Sequence, residues 1–183
     1  MIIYCTATTV NGYLAADDDS LAWLFAVEGE APDLGPFVDT VRVLVLGSTT
    51  YEWVLREENL LEHPERWPDL FGARTVFVFT TRDLPVPEGG DVRLVGGDVR
   101  AHLDAIRSAA GDGTVWVQGG GDLAGQLLDA GALDEIVLHV APAFLTSGKP
   151  LLPRDVEPDR LELGSVAQVG QFAELRYRVR GGA

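Results

Sequence analysis

Hydrophobic and polar positions along the chain fall into blocks with two different periods. Short runs that are apolar almost throughout predict strands covered on both faces of a sheet. Blocks in which apolar residues recur every three or four positions predict amphipathic helices. The predicted strands are 1–6, 41–46, 75–80, 92–95, 115–118, 136–140, 161–169 and 172–179. The predicted helices are 21–25, 37–40, a segment through 53–55, 99–109, and 123 to about 131.

Turn-forming residues separate these blocks and complete the predicted architecture. Loops are predicted at 11–12, 64–68, 85–90 and 142–153, and a turn around Gly170 joins the last two strands as an antiparallel pair. Strands that alternate with helices and end in such a pair predict an α/β fold, with a mostly parallel sheet and an antiparallel edge. The length of 183 residues, without a linker or repeat, predicts one domain over 1–183.

Composition narrows the classes of function. The net charge of −14 argues against nucleic acid and anionic membranes as partners, because both need clustered Lys and Arg. The single cysteine, Cys5, lies in an apolar strand and is expected to be a buried, inert thiol. His63, His102 and His139 lie far apart without metal-ligand spacing, so no metal site is predicted. No secretion signal or membrane span is recognisable, which favours a cytoplasmic protein.

Three turns directly follow predicted strands and are suited to a nucleotide. Gly119–Asp122 offers backbone without side chains at a helix start, where free N–H groups favour an anion such as pyrophosphate. The 47–50 turn adds hydroxyl groups, and the 80–82 turn adds two threonines and Arg82, whose guanidinium matches a phosphate. The carboxyl ends of parallel strands meet at one edge of a sheet, so the three turns are expected to converge there.

Each of these residues also has a purely structural interpretation. Ser48 and Thr49 could serve only as helix caps, and Arg82 could be a solvated turn residue. Asp19 or Ser20 is the predicted N-cap of the helix at 21–25. Gly47-Ser48 does not form a nucleophile elbow with a credible His partner, so hydrolase chemistry is not supported.

An ordered set of motifs resembles the dihydrofolate reductase superfamily. The chain is most similar to the branch that contains the reductase domain of the bifunctional riboflavin-biosynthesis deaminase/reductase. The resemblance spans nearly the whole chain. The motifs that carry it are Met1-Ile2-Ile3-Tyr4-Cys5-Thr6-Ala7, Asn11-Gly12-Tyr13-Leu14-Ala15, Leu46-Gly47-Ser48-Thr49-Thr50-Tyr51-Glu52, Phe79-Thr80-Thr81-Arg82, Gly119-Gly120-Gly121-Asp122-Leu123, Val140-Ala141-Pro142 and Gly148-Lys149-Pro150-Leu151-Leu152.

The resemblance implies a dihydrofolate-reductase-like three-layer fold, with helices on both faces of the sheet and NADPH across the strand ends. The glycine turn, Ser48 and Thr49 would contact the phosphates, Thr81 and Arg82 the adenosine side, and Ala7 and Leu14 the nicotinamide. The full implied cofactor set is Ala7, Leu14, Gly47, Ser48, Thr49, Thr80, Thr81, Arg82, Gly119, Gly120, Gly121, Asp122 and Leu123. A homodimer is also implied, helped by the apolar segment Phe172–Val179.

The departures from the family pattern bear on the substrate. Asn11 and Trp23 are the expected substrate contacts, although Asn11 stands where this branch usually has Asp, and Trp23 could instead pack in the core. Ser48 stands where dihydrofolate reductases carry Arg, so NADH stays open beside NADPH. Ser20, and not a carboxylate, directly precedes Leu21-Ala22-Trp23, which disfavours dihydrofolate. Asp19 is the candidate catalytic proton donor or relay, unless it only caps the helix.

These observations favour an NADPH-dependent oxidoreductase that transfers a hydride to a small heterocyclic or carbonyl-type substrate. One alternative is the 5-amino-6-(5-phosphoribosylamino)uracil reductase of riboflavin synthesis, whose phosphorylated substrate needs extra cations. Lys149 and Arg154 are the candidates for that role. Another alternative is a non-catalytic dinucleotide-binding protein. Asn11 and Ser20 keep this alternative open because each stands where the family pattern has a carboxylate.

Overall fold

The computed structural model describes residues 1–181, and this range contains ten strands and six α-helices. In chain order the strands are β1 (Ile2–Thr9), β2 (Tyr13–Ala15), β3 (Val41–Gly47), β4 (Thr75–Phe79), β5 (Val92–Val95), β6 (Thr114–Gly119), β7 (Glu135–Ala141), β8 (Lys149–Pro150), β9 (Leu161–Val169) and β10 (Phe172–Val179). The helices are α1 (Ala22–Phe25), α2 (Gly35–Val38), α3 (Ser48–Glu57), α4 (Trp67–Phe71), α5 (Leu103–Ala110) and α6 (Gly121–Asp129).

Eight of the strands form one sheet in the order β5-β4-β3-β6-β1-β7-β10-β9. Neighbouring strands are parallel except for β10, which is antiparallel to both β7 and β9. The predicted α/β fold, with a mostly parallel sheet and an antiparallel C-terminal edge, is therefore confirmed. The strands β2 and β8 form a separate small pair above the carboxyl ends of the large sheet's central strands.

Helices cover both faces of the sheet, as the three-layer arrangement requires. On one face Ile106 of α5 and Leu127 of α6 pack in the same cluster as Val45 of β3. On the other face Tyr51 of α3 packs in a second cluster with Leu46, the next residue of β3. Adjacent residues of one strand thus point into different cores, which is why this strand is apolar throughout. Burying each such side chain contributes roughly 1.5–3 kcal/mol.

Cys5 lies on β1 in a third, smaller cluster and is buried, as predicted. Burial raises the pKa of its thiol to about 12. The side chain therefore stays protonated and weakly reactive at neutral pH, because the thiolate is the nucleophilic form.

The segment 64–68 was predicted as a loop, and this prediction is wrong. A single 3₁₀ turn, Pro64–Arg66, leads into α4. Both prolines lie in first-turn positions, where a helix needs no N–H group from them. Trp67 and Phe71, one turn apart and both buried, stack with ring centroids 4.3 Å apart and hold α4 against the sheet.

Three other element boundaries differ from the prediction. The helix expected at 37–40 lies at Gly35–Val38, where Asp33 Oδ1 accepts a hydrogen bond from the Gly35 N–H (2.9 Å). The helix expected from 99 begins with a 3₁₀ turn, Val99–His102, before α5. The segment 142–153, predicted as an irregular loop, contains the two-residue strand β8. A strand this short has no sequence pattern that would predict its pairing with β2.

Charged side chains link the antiparallel edge of the sheet to its parallel centre. Glu174 of β10 accepts a hydrogen bond from Arg176 Nε (2.7 Å), and its other oxygen lies 3.0 Å from Nε2 of buried His139 on β7. The hydrogen bond from Arg176 is the main reason that the pKa of Glu174 lies below its usual value. Because the folded protein lowers this pKa, the contribution to stability is present above pH 4.5 and is lost as pH falls.

Replacing Glu174 tests this contribution. We expect Glu174→Gln to lower the free energy of unfolding by about 2 kcal/mol at pH 7, because buried His139 and Arg176 lose their charged partner. The difference from the unmodified protein should shrink below pH 4.5, where the carboxylate takes up a proton. Urea unfolding at pH 7 and at pH 3.5 measures both values.

Glu88→Gln is the matched control, since Glu88 is exposed and forms no ion pair within the described residues. It should leave the free energy of unfolding within about 0.5 kcal/mol at both pH values. A loss in Glu174→Gln that is the same at pH 7 and pH 3.5 would contradict the electrostatic explanation.

Candidate functional site

Two glycine turns lie side by side at the carboxyl edge of the sheet. The strands β3 and β6 are parallel neighbours that end at Gly47 and Gly119. A Cβ added to Gly47 would lie 3.4 Å from the Gly120 nitrogen and 3.6 Å from the Gly119 oxygen. The two turns are therefore in contact at their backbones, and each leads directly into a helix, α3 or α6.

The N-termini of these two helices have no side-chain caps. The N-cap residues are Gly47 for α3 and Gly120 for α6, and neither helix start carries a side-chain cap hydrogen bond. Ser48 and Thr49 do not cap α3, so their purely structural interpretation is wrong. The first N–H groups of both helices, and the positive ends of both dipoles, point toward the same edge of the sheet. Such a pair is suited to a bound anion.

Gly120 and Gly121 have different surroundings. A Cβ on Gly120 would meet no atom within 4 Å, so this backbone borders open space. A Cβ on Gly121 would lie 2.3 Å from the Pro150 oxygen, and buried Gly121 therefore serves packing against the 150–151 backbone. The bare backbone available to a ligand is thus at Gly120.

The remaining members of this predicted set point away from the open space. The Asp122 carboxylate accepts hydrogen bonds from Gln126 (2.8 Å) and Arg154 (3.0 Å), and these two bonds lower its pKa. The Leu123 side chain is buried in the core under α6. These two residues can contribute only their backbone N–H groups to a site at Gly120.

The third turn brings Arg82 against α3. Thr80 Oγ1 accepts a hydrogen bond from the Arg82 N–H (2.9 Å), while Thr81 is exposed. The Arg82 guanidinium donates to both carboxylate oxygens of Glu52 on α3, at 2.9 and 2.5 Å. The Arg82 side chain is nevertheless 53% exposed, so a solvated turn residue with a surface ion pair stays an alternative interpretation. Glu52, which the sequence did not single out, holds it on the side of α3.

Ala7 and Leu14 lie beyond the glycine turns. Ala7 is half-buried in the middle of β1, a strand that is otherwise buried over most of its length. Leu14 is half-buried on β2, which follows β1 after one turn. Since β1 is the neighbour of β6 in the sheet, these residues continue the edge that starts at the glycine turns.

Asn11 and Asp19 both join the β1–α1 segment to the 142–153 loop. Asn11 donates from Nδ2 to the Leu145 oxygen (2.6 Å), and its Oδ1 accepts from the Leu145 N–H (3.2 Å). Asp19 Oδ1 lies 3.4 Å from Lys149 Nζ. The side chains proposed to contact and protonate the substrate thus have protein partners in this structure.

The prediction that Asp19 or Ser20 is the N-cap residue is wrong, because helix α1 begins at Ala22 and its N-cap position is Leu21. The hydroxyl of Ser20 still accepts a hydrogen bond from the Ala22 N–H (3.2 Å). Asp19 adopts a positive φ of 64° within a turn, which Asp tolerates better than most residues.

Trp23 lines a groove and does not pack in the main core. The groove has a volume of about 720 Å³ and is lined by Trp23, the 26–29 segment, Pro142, Ala143 and Gln171. The Nε1 atom of Trp23 is buried and has no hydrogen-bond partner within residues 1–181. The alternative of core packing is thus wrong for this residue, whose helix is too short to bury an apolar face. We call this feature the Trp23 groove.

Sequence reasoning missed residues that act through partners far away in the chain. Glu52 and Arg82 are separated by 30 residues, and His139 and Glu174 by 35. Single charged residues of this kind carry no local pattern. Gln118 is a half-buried amide directly before the glycine turn. Its signal in the sequence is a polar residue at the end of an apolar strand.

Among residues 1–181, no three His, Cys, Asp or Glu side chains come together as ligands for a metal ion. No helix within this range has both the length and the apolar character needed to span a membrane.

Several solved structures share this fold. A Shewanella protein assigned provisionally to riboflavin biosynthesis matches with a TM-score of 0.77 and 23% identity, over 98% of both chains. The bifunctional riboflavin-biosynthesis deaminase/reductase of Thermotoga maritima matches over 98% of this chain but 56% of its own, with a TM-score of 0.68 and 18% identity. Dihydrofolate reductase from Enterococcus faecalis, solved with NADP(H), has a TM-score of 0.62 and 17% identity over 98% and 96% of the two chains.

Sequence comparisons point in the same direction. The uncharacterized protein YwjB of Bacillus subtilis is 28% identical over 172 residues, which cover 93% of each chain. The riboflavin biosynthesis protein RibD of Haemophilus influenzae is 30% identical over 74 residues, 37% of this chain and 20% of RibD. The family model described as the RibD C-terminal domain matches residues 1–173. The chain therefore belongs to the RibD C-terminal domain family.

Proposed function

We propose that this protein is an NADPH-dependent oxidoreductase that transfers a hydride to a small heterocyclic or carbonyl-type substrate. The observation that carries the proposal is the pair of uncapped helix N-termini, α3 and α6, on either side of the open Gly120 backbone. Membership of the RibD C-terminal domain family and the fold shared with an NADP(H)-bound dihydrofolate reductase support it.

The residues at this edge fit a dinucleotide phosphate. Backbone N–H groups of Ser48, Thr49 and Gly121 would donate to the pyrophosphate, and the open space at Gly120 would let it approach the backbone. Thr80, Thr81 and Arg82 would hold the adenosine side. Ala7 and Leu14 would border the nicotinamide, since they lie further along the same edge.

The bound cofactor would supply the hydride, and the chain would supply orientation, water exclusion and a proton. The paired segments β2 and β8 lie above the strand ends and help to cover this region. Asp19 is the proposed proton donor or relay, and it lies in the same covering segment, next to Lys149. Separation of Asp19 from Lys149 would free the carboxylate for this role. Asn11 is a proposed substrate contact, and separation of its amide from the Leu145 backbone would free it for this role.

Reduction of 5-amino-6-(5-phosphoribosylamino)uracil is the second candidate, and family membership favours it. It requires cations for the substrate phosphate. Lys149 lies beside Asp19 (3.4 Å), and Arg154 is held by Asp122 (3.0 Å) and Asp129 (2.7 Å). We therefore rank this reaction behind the reduction of an unphosphorylated substrate.

We also propose a homodimer formed through one face of the antiparallel edge. β10 is an interior strand, and β9 is the edge of the sheet. Leu163 and Val166 of β9 are 53% and 60% exposed. A register shift in the β9–β10 pairing sets Leu163 opposite Tyr177 and Val166 opposite Leu175, which brings both apolar side chains to the same face.

Gly120→Ala tests the cofactor site. The new methyl group would occupy open space without touching protein, so we expect the free energy of unfolding to change by less than about 0.5 kcal/mol. It would stand where the pyrophosphate approaches, and NADPH affinity should fall at least about tenfold, or 1.4 kcal/mol. Titration with NADPH, followed by tryptophan quenching and energy transfer to the nicotinamide, measures the affinity.

Gly121→Ala is the contrasting variant, because its Cβ would collide with the Pro150 and Leu151 carbonyls, and we expect it to destabilise the fold. If NADPH does not bind the unmodified protein, or binds Gly120→Ala equally well, the proposed site is wrong.

The preference for NADPH over NADH should depend on Arg82. Only NADPH carries a 2′-phosphate, so Arg82→Ala should weaken NADPH binding by about tenfold or more and leave NADH binding unchanged. Glu52→Gln is the matched control, because it removes the partner and keeps the cation, and it should bind NADPH at least as tightly. An equal loss of affinity for both cofactors would show that Arg82 does not select between them.

Val166→Glu tests the proposed dimer. Sedimentation equilibrium at micromolar concentration should give twice the chain mass of 19.7 kDa for the unmodified protein and the single-chain mass for the variant. Ser165→Glu adds the same charge on the opposite face of β9, across from Arg176, and should stay dimeric. A monomeric unmodified protein would remove the proposal.

A further inference from the structure

We infer that His139, held by Glu174, gives a proton to the hydride acceptor at the nicotinamide end of the cofactor site. The inference rests on the proposed reductase function and names a further catalytic residue for it. With His139 as the donor, Asp19 keeps the role of a relay. The evidence is the register of β1 and β7, the carboxylate beside His139, and the one ring nitrogen that has no partner.

His139 lies beside Ala7 on one face of the sheet. The register of the parallel strands β1 and β7 sets Ala7 opposite His139, and both side chains therefore leave the sheet on the same side. Ala7 is only half-buried, and its methyl group is too small to cover the neighbouring imidazole. A ligand group that rests on Ala7, as proposed for the nicotinamide, is thus next to His139.

A carboxylate lies on the other side of the imidazole. Glu174 of β10 is the register partner of His139, so β7 carries the imidazole between the Ala7 position and this carboxylate. Nε2 lies 3.0 Å from Glu174 Oε2, while Arg176 donates to the other carboxylate oxygen at 2.7 Å. The hydrogen bond from Arg176 is the main reason that the pKa of Glu174 is lowered. Glu174 is therefore ionised at neutral pH and favours a positively charged imidazole.

The other titratable groups on this face do not take over the role of Glu174. Glu135 lies on the far side of Arg176, 3.8 Å from its guanidinium. Cys5 stays protonated at neutral pH, because burial raises the pKa of its thiol to about 12. Within residues 1–181, Glu174 is the only carboxylate within ion-pair distance of His139. The charge of the imidazole is thus stabilised by one identified partner.

The second ring nitrogen of His139 is available to a ligand. Nε2 is engaged by Glu174, and Nδ1 forms no hydrogen bond among the described residues. In this part of the chain the Trp23 indole nitrogen is the only side-chain polar atom that is both fully buried and unpartnered. Nδ1 therefore keeps some accessible surface, although the side chain as a whole is only 5% exposed. An unpartnered nitrogen in such a shielded position calls for a partner that the chain itself does not supply.

This arrangement balances the proton of a hydride transfer. In the imidazolium form Nε2–H donates to Glu174, and Nδ1–H is the proton to be given. When the acceptor takes the hydride, this proton moves to the acceptor atom that has gained the negative charge. The neutral imidazole keeps its Nε2–H bond to Glu174, and a proton from water restores the imidazolium. Histidine is suited to this step because its charge changes near neutral pH.

Cofactor affinity tests the position of the imidazole without any acceptor. The oxidised nicotinamide ring carries a positive charge and the reduced ring does not, so an imidazolium beside it weakens the binding of NADP⁺ alone. We expect the ratio of the NADP⁺ to the NADPH dissociation constant to rise at least about threefold from pH 8 to pH 6. Isothermal titration calorimetry measures both constants, and the 2′-phosphate that both cofactors carry cancels in their ratio.

Three variants make this result specific. His139→Gln keeps a donor for Glu174 and removes the charge, so the ratio should no longer depend on pH. His63→Gln is the matched control, because His63 is exposed in the loop after α3 and pairs with Glu65, and it should keep the dependence. Glu174→Gln removes the stabilising carboxylate, so the rise in the ratio should begin at a lower pH. A purely structural role of Glu174 would not move this profile.

Turnover tests the donor role itself. With 5-amino-6-(5-phosphoribosylamino)uracil as the acceptor, His139→Gln should lower kcat at least about tenfold, because Gln has no proton to give. KM should stay within about twofold of the unmodified protein. His63→Gln should change neither value. The cofactor ratio decides the inference whether or not this compound is reduced.

The outcomes separate this inference from the proposed function. A ratio that is independent of pH in the unmodified protein, or a dependence that persists in His139→Gln, overturns the inference and leaves the reductase proposal standing. A kcat that His139→Gln leaves unchanged also overturns it. Failure of the unmodified protein to bind NADPH overturns the proposed function, and this inference with it.

Discussion

The close approach of β3 and β6 at their carboxyl ends is the constraint on which the candidate site depends. The parallel register sets Leu46 opposite Gly119, so the two chains turn into helices at the same level. The Gly47 turn and the Gly119–Gly120 peptide then lie against each other, since a Cβ added to Gly47 would be 3.4 Å from the Gly120 nitrogen. Because no side chain intervenes, α3 and α6 start next to each other with free N–H groups. Their dipoles add at one point, and the structure has a place for anionic groups although the chain as a whole is strongly acidic.

The segments that follow β1 and β7 form a second unit that depends on this edge. Asn11 binds the Leu145 backbone, Leu151 N–H donates to the Gly12 oxygen (2.9 Å), and β2 pairs with β8. Gly121 needs to be a glycine because the 150–151 backbone lies directly against it. The β2–β8 pair, which lies over the strand ends, is therefore packed on the glycine turn itself. Lys149, the partner of Asp19, directly precedes this 150–151 backbone, so the surroundings of Asp19 are also packed on the glycine turn.

The sequence was sufficient for those features that have a local physical cause. Apolar runs located β3, β4 and β7 because a strand covered on both faces has to be apolar at consecutive positions. The glycines after β6 predicted the turn because they leave the backbone bare, and the structure uses this at Gly121, where the 150–151 backbone lies directly against the turn. Proline at 64 and 68 misled the prediction, since a breaker within a helix is compatible with its first turn. The prediction that Asp19 is the N-cap residue is wrong because helix α1 begins only at Ala22, whose N–H donates to the Ser20 hydroxyl.

Other features of the site arise only from tertiary contact. Nothing near Arg82 in the chain indicates that Glu52 will lie beside it, and nothing near Trp23 indicates that its indole N–H will be buried without a partner among the described residues. The distribution of charge is likewise a property of the fold. Three cationic side chains near the strand ends, those of Arg82, Lys149 and Arg154, each lie beside a carboxylate. Paired in this way, they contribute little net positive potential, and the backbone at the helix starts is the main attraction for an anion. Along this edge, fixed N–H groups therefore favour an anion at the start of α3 and α6 more than at the paired side chains.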